Sequence, residues 1–287
     1  MTTFKFNFSD DNTSITKDQS DEKEDIKWLD SREILPCDQI NKIEQIAAHA
    51  KMFTCGDVEI GHVMISNTTS QLDDDDLSNV IKLAEKEHSD LVAGIYEGGL
   101  KIWECTSDLI EYLEENKNKI NFEKKKVLDL GCGTGILGIY AFMNGANVTF
   151  QDYNKEVIEH VTIPNVLLNI EEDERESELK RCKFYTGDWA SFNSNCNEVF
   201  DIILTSETIY NESNYDKILE LFINKLNNIN GVVYAAAKTC YFGVGGGTRQ
   251  FEQCLKDKGS LESEVCWKSS CGIRREIIKV TKKMQSA

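Results

Sequence analysis

Residues 127–138 read VLDLGCGTGILG, an apolar run that breaks into glycines and then resumes apolar spacing. The pattern predicts a buried strand that turns tightly into a helix. Gly133, Gly135 and Gly138 spell G-x-G-x-x-G, the dinucleotide fingerprint, which by itself points to a nicotinamide enzyme. The strand also delivers an acid, Asp129, two residues before Gly131, and Gly131, Gly133 and Gly135 then fall at alternate positions. Backbone without Cβ atoms lets a ligand lie against the strand end and the helix start. A diphosphate favours the helix N-terminus, whereas an acid beside the loop suits a cation.

The chain has 287 residues, 40% of them hydrophobic, enough for one large α/β domain plus an appendage. No run approaches the roughly 18 apolar residues of a membrane span, and the opening MTTFKFNFSDDNTS lacks the basic start and apolar centre of a secretory signal. A soluble intracellular protein is expected, with no membrane partner. The ten cysteines are scattered, without C-x-x-C or paired Cys/His spacing, so no metal site is expected and the thiols read as reduced residues of the cytoplasm or nucleus. The net charge of −17 argues against direct contact with nucleic-acid phosphates and permits a basic protein partner. Residues 1–90 carry 20 Asp/Glu against 9 Lys/Arg, so most of the imbalance lies in the first third.

That distribution divides the chain into an acidic, partly disordered extension over 1–89, including the run Asp73–Asp76, and a domain over 90–287. Its acids would solvate the protein or steer a cationic substrate, and deletion of residues 1–30 is expected to leave cofactor binding intact. A helical pattern at 107–116 leads into strand 126–130, helix 135–144, strand 147–151, helix 156–169 with an internal Pro164, strands 183–185 and 199–204, helix 215–226, strand 232–237 and helix 247–258. Alternation of apolar strands with helices predicts a parallel doubly wound α/β sheet. The stretches 262–267 and 275–280, joined by a loop containing Gly272, predict a terminal antiparallel hairpin.

The second strand ends in FQDYN, placing Asp152 about 20 residues beyond the glycines, where a carboxylate takes ribose hydroxyls. The order of Asp129, three alternating glycines, Asp152 and a closing hairpin resembles the Rossmann-like seven-strand methyltransferases, which use S-adenosylmethionine. GGLKIWECT (98–106), TGDWA (186–190), LTSETIY (204–210) and YFGVGGGTRQF (241–251) narrow the likeness to the histidine protein methyltransferases that modify a large-subunit ribosomal protein. The resemblance runs over roughly 89–280.

It implies cofactor contacts from Ile102, Trp103, Glu104, Cys105 and Thr106, from Asp129, Gly131 and Gly133, from Gln151, Asp152 and Tyr153, from Gly187, Asp188 and Trp189, and from Ser206. Glu207 and Tyr210 match the acidic-x-x-aromatic signature of the wider protein-methylating group, in which lysine methyltransferases usually carry Asp where this chain has Glu. They are the expected catalytic pair, with Glu207 accepting from Nδ1–H of a substrate histidine so that Nε2 is methylated. A lysine methyltransferase of the same fold and a non-catalytic chaperone of a basic ribosomal protein are the alternatives. His49, His62, His88 and His160 have no partners at ligand or triad spacing and read as ordinary histidines, although self-methylation of His88 is a further expectation. Cys132 fits the glycine loop by its small size.

Overall fold

The computed structural model describes residues 28–48, 50–63 and 96–283. The residues before Trp28, the run Asp73–Asp76, His49 and His88 lie outside that set. The described residues form ten strands: β1 (Arg32–Ile34), β2 (Ala50–Cys55), β3 (Val58–Val63), β4 (Lys126–Leu130), β5 (Asn147–Asp152), β6 (Cys182–Thr186), β7 (Ile202–Ser206), β8 (Val232–Lys238), β9 (Leu261–Lys268) and β10 (Arg275–Lys282). Eight of them form one sheet in the order β1-β6-β5-β4-β7-β8-β10-β9. Strands β4 to β8 run parallel, and β10 lies antiparallel to both β8 and β9. This is the expected seven-strand methyltransferase sheet with its closing hairpin. One further strand, β1, is added antiparallel to β6 at the edge.

Strand β4 is apolar at Val127, Leu128 and Leu130 because both of its faces are covered. Val127 joins a cluster with helices Glu104–Glu115 and Ile136–Met143, while Leu128 joins the opposite cluster with Phe222 of helix Tyr215–Lys225 and Phe251 of helix Thr248–Lys258. Gly138 has a packing role. A Cβ there would stand 2.3 Å from Cε1 of Phe150 on β5, so only glycine lets the helix after the loop settle on the sheet.

The helix expected at 156–169 has its axis broken into Lys155–Val157, a π-helical turn Ile158–Thr162, and Ile163–Leu168. The Ile163 N–H reaches back to the Ile158 carbonyl, immediately before Pro164, which has no N–H to give. This widened turn holds the glycine loop. Thr162 Oγ1 donates to the Gly133 carbonyl (2.6 Å) and Asn165 Nδ2 to the Thr134 carbonyl (2.8 Å).

Part of the acidic extension is built into the domain. Hairpin β2–β3 turns at Gly56, whose φ of 58° suits glycine, and docks on the same helix: Asn165 Oδ1 accepts from Val63 N–H, while Asn169 exchanges hydrogen bonds with Gly61. Two other departures from the sequence pattern matter for the site. The fourth parallel strand begins at Ile202 and ends at Ser206, two residues beyond the apolar run, and a helix, Trp189–Asn195, occupies a stretch the periodicity did not mark.

Candidate active site

The carboxyl ends of β4, β5, β6 and β7 open onto one cleft of about 790 Å³, its open mouth included. Such a position is set by topology, because the strand order reverses between β4 and β7 and the loops part there. Among the residues singled out from sequence, Trp103, Thr106, Gly131, Gly133, Asp152, Tyr153, Gly187, Asp188, Trp189, Ser206, Glu207 and Tyr210 all line it. Cys132 lines it as well, whereas Ile102, Glu104, Cys105, Asp129 and Gln151 do not.

Gly131 and Gly133 form the floor with positive φ values of 62° and 50°. A Cβ on Gly131 would meet Thr208 Cγ2 at 2.6 Å and one on Gly133 the Gly99 carbonyl at 2.9 Å. Both positions therefore need glycine for conformation and for space. The Gly133 N–H donates to Asp152 Oδ2 (2.9 Å), and Asn154 N–H to Asp152 Oδ1 (3.1 Å). Burial pushes the Asp152 carboxyl up to about 6, against the pull of these two hydrogen bonds, and the nearby Glu97 carboxylate adds to the rise.

Asp129, expected beside the glycines as a partner for a cation, points elsewhere. It is 1% exposed and does not line the cleft; its Oδ2 accepts the Gly138 N–H (2.8 Å), fastening the helix start to β4. Burial pushes this carboxyl up to about 8. Gln151 is likewise fully buried beneath the wall. Its Nε2 donates to the Gly187 carbonyl (2.7 Å) and its Oε1 accepts from Trp189 Nε1 (2.9 Å), which sets the indole against the cleft. Ile102 packs against the core, Cys105 is buried facing Glu207, and Glu104 caps the outer edge through Lys238. Burial, then the Glu207 charge, raises the Cys105 thiol, and burial raises that of Cys132, so both thiols stay protonated.

At the far end two carboxylates are each held by a tyrosine. The Tyr210 hydroxyl donates to Glu97 Oε2, and the Tyr241 hydroxyl to Glu207 Oε2. Burial, reinforced by those carboxylates, drives both phenols well above their ordinary range, so they remain donors. Glu207 follows β7 with a φ of 58°, a strained conformation for a residue with a side chain, and its N–H is fixed to the Ala236 carbonyl at 2.9 Å. Its Oε1 is buried with no hydrogen-bond donor among the described residues. Thr106 Oγ1 and Ser206 Oγ share a hydrogen bond of 2.8 Å beside it.

Periodicity missed several contributors. Trp28 from the extension lines the cleft, with its ring edge-on to Tyr153 and Lys217 Nζ 3.3 Å from its centroid. Lys217 also pairs with Asp188 Oδ2 (2.6 Å), while Asp188 Oδ1 caps the helix Trp189–Asn195 and the Asp188 N–H donates to the Leu29 carbonyl. Tyr241 opens the stretch YFGVGGGTRQF that the sequence did single out, and Glu97 immediately precedes GGLKIWECT, without either residue having been marked.

The matched family model, described as lysine methyltransferase, covers residues 85–243. The chain is 46% identical over 206 residues to a histidine protein methyltransferase 1 homologue of Dictyostelium discoideum, covering 71% of this chain and 63% of that one. A Bos taurus histidine protein methyltransferase 1 homologue is 41% identical over 244 residues, 77% of this chain and 65% of its own. Histidine protein methyltransferase 1 of Saccharomyces cerevisiae is 30% identical over 278 residues, 77% of this chain and 74% of its own. The chain belongs to the histidine protein methyltransferase family. It spans less than two thirds of the Dictyostelium and bovine relatives.

The cofactor of such a methyltransferase is S-adenosylmethionine. The cleft suits it: a glycine floor that admits close approach, a buried carboxylate at Asp152 for a ribose diol, aromatic walls from Trp28, Trp103, Tyr153 and Trp189, and acids at Glu97 and Asp152 that accommodate positive charge. Among the described residues no group of His, Cys, Asp and Glu could hold a metal ion, and no helix is long and apolar enough to cross a membrane.

Proposed function

We propose that this protein is a protein-histidine N-methyltransferase that modifies Nε2 of a histidine in a basic protein, a large-subunit ribosomal protein being the substrate its resemblance suggests. The observation that carries the reading is Glu207 Oε1, a buried acceptor in the cleft wall that lacks a donor among the described residues. A substrate imidazole supplies the missing donor. Nδ1–H given to Oε1 fixes the tautomer, leaves Nε2 with its lone pair turned into the cleft, and places a negative charge where imidazolium character develops.

S-adenosylmethionine supplies the methyl carbon, made electrophilic by its sulfonium. The protein's own part is positional. Tyr241 holds Oε2 so that Oε1 faces inward, the Thr106–Ser206 pair and Trp103 shape the passage, and Tyr210 is fixed on the opposite side by Glu97. No strong base is needed, because an imidazole with an ordinary pKa of about 6.5 is largely neutral at cellular pH. The acid excess of the extension, with 20 Asp/Glu in the first 90 residues, favours a cationic protein partner over nucleic acid. Reduced cysteines suit the cytoplasm or nucleus as its place of action.

Incubation with methyl-labelled S-adenosylmethionine and ribosomal extract, followed by amino-acid analysis of the labelled protein, tests the reading. Nε2-methylhistidine is the expected product, with a rate that levels off above about pH 7. Methyl-lysine as the main product, formed at a rate still climbing past about pH 9, would transfer the protein to lysine chemistry.

A further inference from the structure

We propose that Lys238 is a positioning residue for the methyl transfer: it supplies the counter-charge that keeps Glu207 an open hydrogen-bond acceptor for the substrate imidazole. The inference rests on the histidine reading above and adds to it a residue that no motif of the sequence marked.

Lys238 ends β8, the strand beside β7, in the stretch VVYAAAK. A lysine closing a strand of buried alanines, with its own side chain only 16% exposed, is unusual unless it is paired. Its Nζ lies 3.2 Å from Glu104 Oε2 and 3.7 Å from Glu207 Oε1, the same oxygen that has no hydrogen-bond donor. The distance to Glu207 is too long for a hydrogen bond and still within the reach of an ion pair, about 4 Å. The ammonium therefore offsets the charge of Oε1 without occupying its acceptor site. Trp103 and Tyr241 flank the ammonium, with ring centroids 5.6 and 5.7 Å away.

The other groups that face Glu207 do not supply this charge. Tyr241 donates to Oε2 as a neutral phenol, and Cys105 on the helix Glu104–Glu115 presents a buried thiol. Behind Cys105, Asp108 is already clamped by Arg275, at 2.5 and 3.1 Å. Glu104 is a second acid, at the helix N-terminus, and it draws the Lys238 ammonium toward the site. Burial works against the Lys238 cation, yet the two carboxylates hold it above the ordinary lysine range, so it is charged throughout the working pH. Without Lys238, this carboxylate, 8% exposed and with acids nearby, would have no counter-charge, and a buried charge left unpaired is costly.

The test is the pH profile of kcat/KM for a histidine-containing substrate between pH 5.5 and 9 in wild type, Lys238→Met and Lys238→Arg, with S-adenosylhomocysteine affinity and thermal melting as controls for the fold. In wild type the acidic limb should follow the substrate imidazole, near about 6.5. In Lys238→Met the limb should move about one unit or more to the alkaline side, with an about threefold or greater loss at pH 7 that is regained near pH 9. Lys238→Arg should restore the wild-type profile. Lys238→Gln repeats the measurement should the methionine variant fail to fold. A limb that stays in place, or a loss equal at every pH, would overturn the proposal and leave Lys238 a clamp between helix and sheet. Absence of histidine methylation in wild type would instead bring down the functional reading itself.

Discussion

Tyr241 donates its hydroxyl to Glu207 Oε2, joining the residue that follows β7 to the loop that follows β8, 34 positions later. The pair turns one oxygen of a buried carboxylate into a fixed point and leaves the other without a hydrogen-bond donor among the described residues. Glu207→Gln keeps the shape and removes the charge. It should lower kcat by roughly ten- to a hundredfold, in the range of a lost hydrogen bond to a charged group, while the dissociation constant for S-adenosylhomocysteine stays within about twofold. Tyr241→Phe should cost less, about three- to tenfold in kcat. Single-turnover kinetics beside calorimetry check both; a Glu207→Gln enzyme with wild-type kcat would remove Glu207 from the chemistry.

Asp152 ties the glycine loop to the end of β5 and offers its carboxylate to the cleft. Asp152→Ala should weaken cofactor binding by about 1.5–3 kcal/mol, roughly ten- to a hundredfold. Titration calorimetry at pH 7.5 reads this directly, and wild-type affinity in the variant would take Asp152 out of the ribose site.

Deletion of residues 1–30 was expected to leave cofactor binding intact, yet residues 28–31 of the extension reach the cleft and the turn beside it. Trp28 lines the cleft, the Leu29 carbonyl accepts from Asp188 N–H, and Ser31 is so close to Gly187 that a Cβ on the glycine would meet Ser31 Cα at 2.6 Å. Removal of residues 1–27 should leave S-adenosylhomocysteine affinity unchanged. Removal of residues 1–30 should reduce it about three- to tenfold, because an aromatic wall and the ordering of the 187–189 turn go together. Equal affinities for the two truncations would count against a role for Trp28.

Asp129 gives a stability prediction with a definite sign. Its folded-state value of about 8 lies above the ordinary 3.8, so the folded protein holds a proton that the unfolded chain releases between those values. Its contribution is complete below about pH 4 and declines as the pH rises through 8. Asp152, raised to about 6, adds a similar decline that ends earlier. Asp129→Asn retains an acceptor for Gly138 N–H and removes the titration. The variant should flatten the fall in melting temperature between pH 6 and 8, by on the order of a few degrees. Parallel slopes for wild type and variant over that interval would show that Asp129 does not carry it.

The sheet was legible in the sequence because its signals are local. Apolar strands such as 126–130 alternate with helices that carry an apolar face, the glycines mark the one turn where backbone must stand in for side chains, and the spacing from Gly131 to Asp152 follows from one strand-helix-strand unit. Asp152, whose backbone ends a parallel strand, could be placed at the cleft for the same reason, whereas Ser206, two residues beyond its apolar run, was implied only by the family resemblance. Where a side chain points is a different matter, since that depends on partners far away in the chain. Asp129 and Gln151 share the strand ends with the cleft residues yet turn to the helix start and to the Gly187–Trp189 turn. Trp28, Glu97 and Tyr241 reach the site from segments with no periodic signal of their own, and Lys238 from the last position of β8. Their roles come from contacts across the chain, Trp28 with Lys217, Glu97 with Tyr210, and Lys238 and Tyr241 with Glu207. Local patterning set the order of strands and the place of the cleft; the charges and hydrogen bonds that finish it arise only when separate strands are packed side by side, because a buried carboxylate takes its character from whatever folding brings next to it.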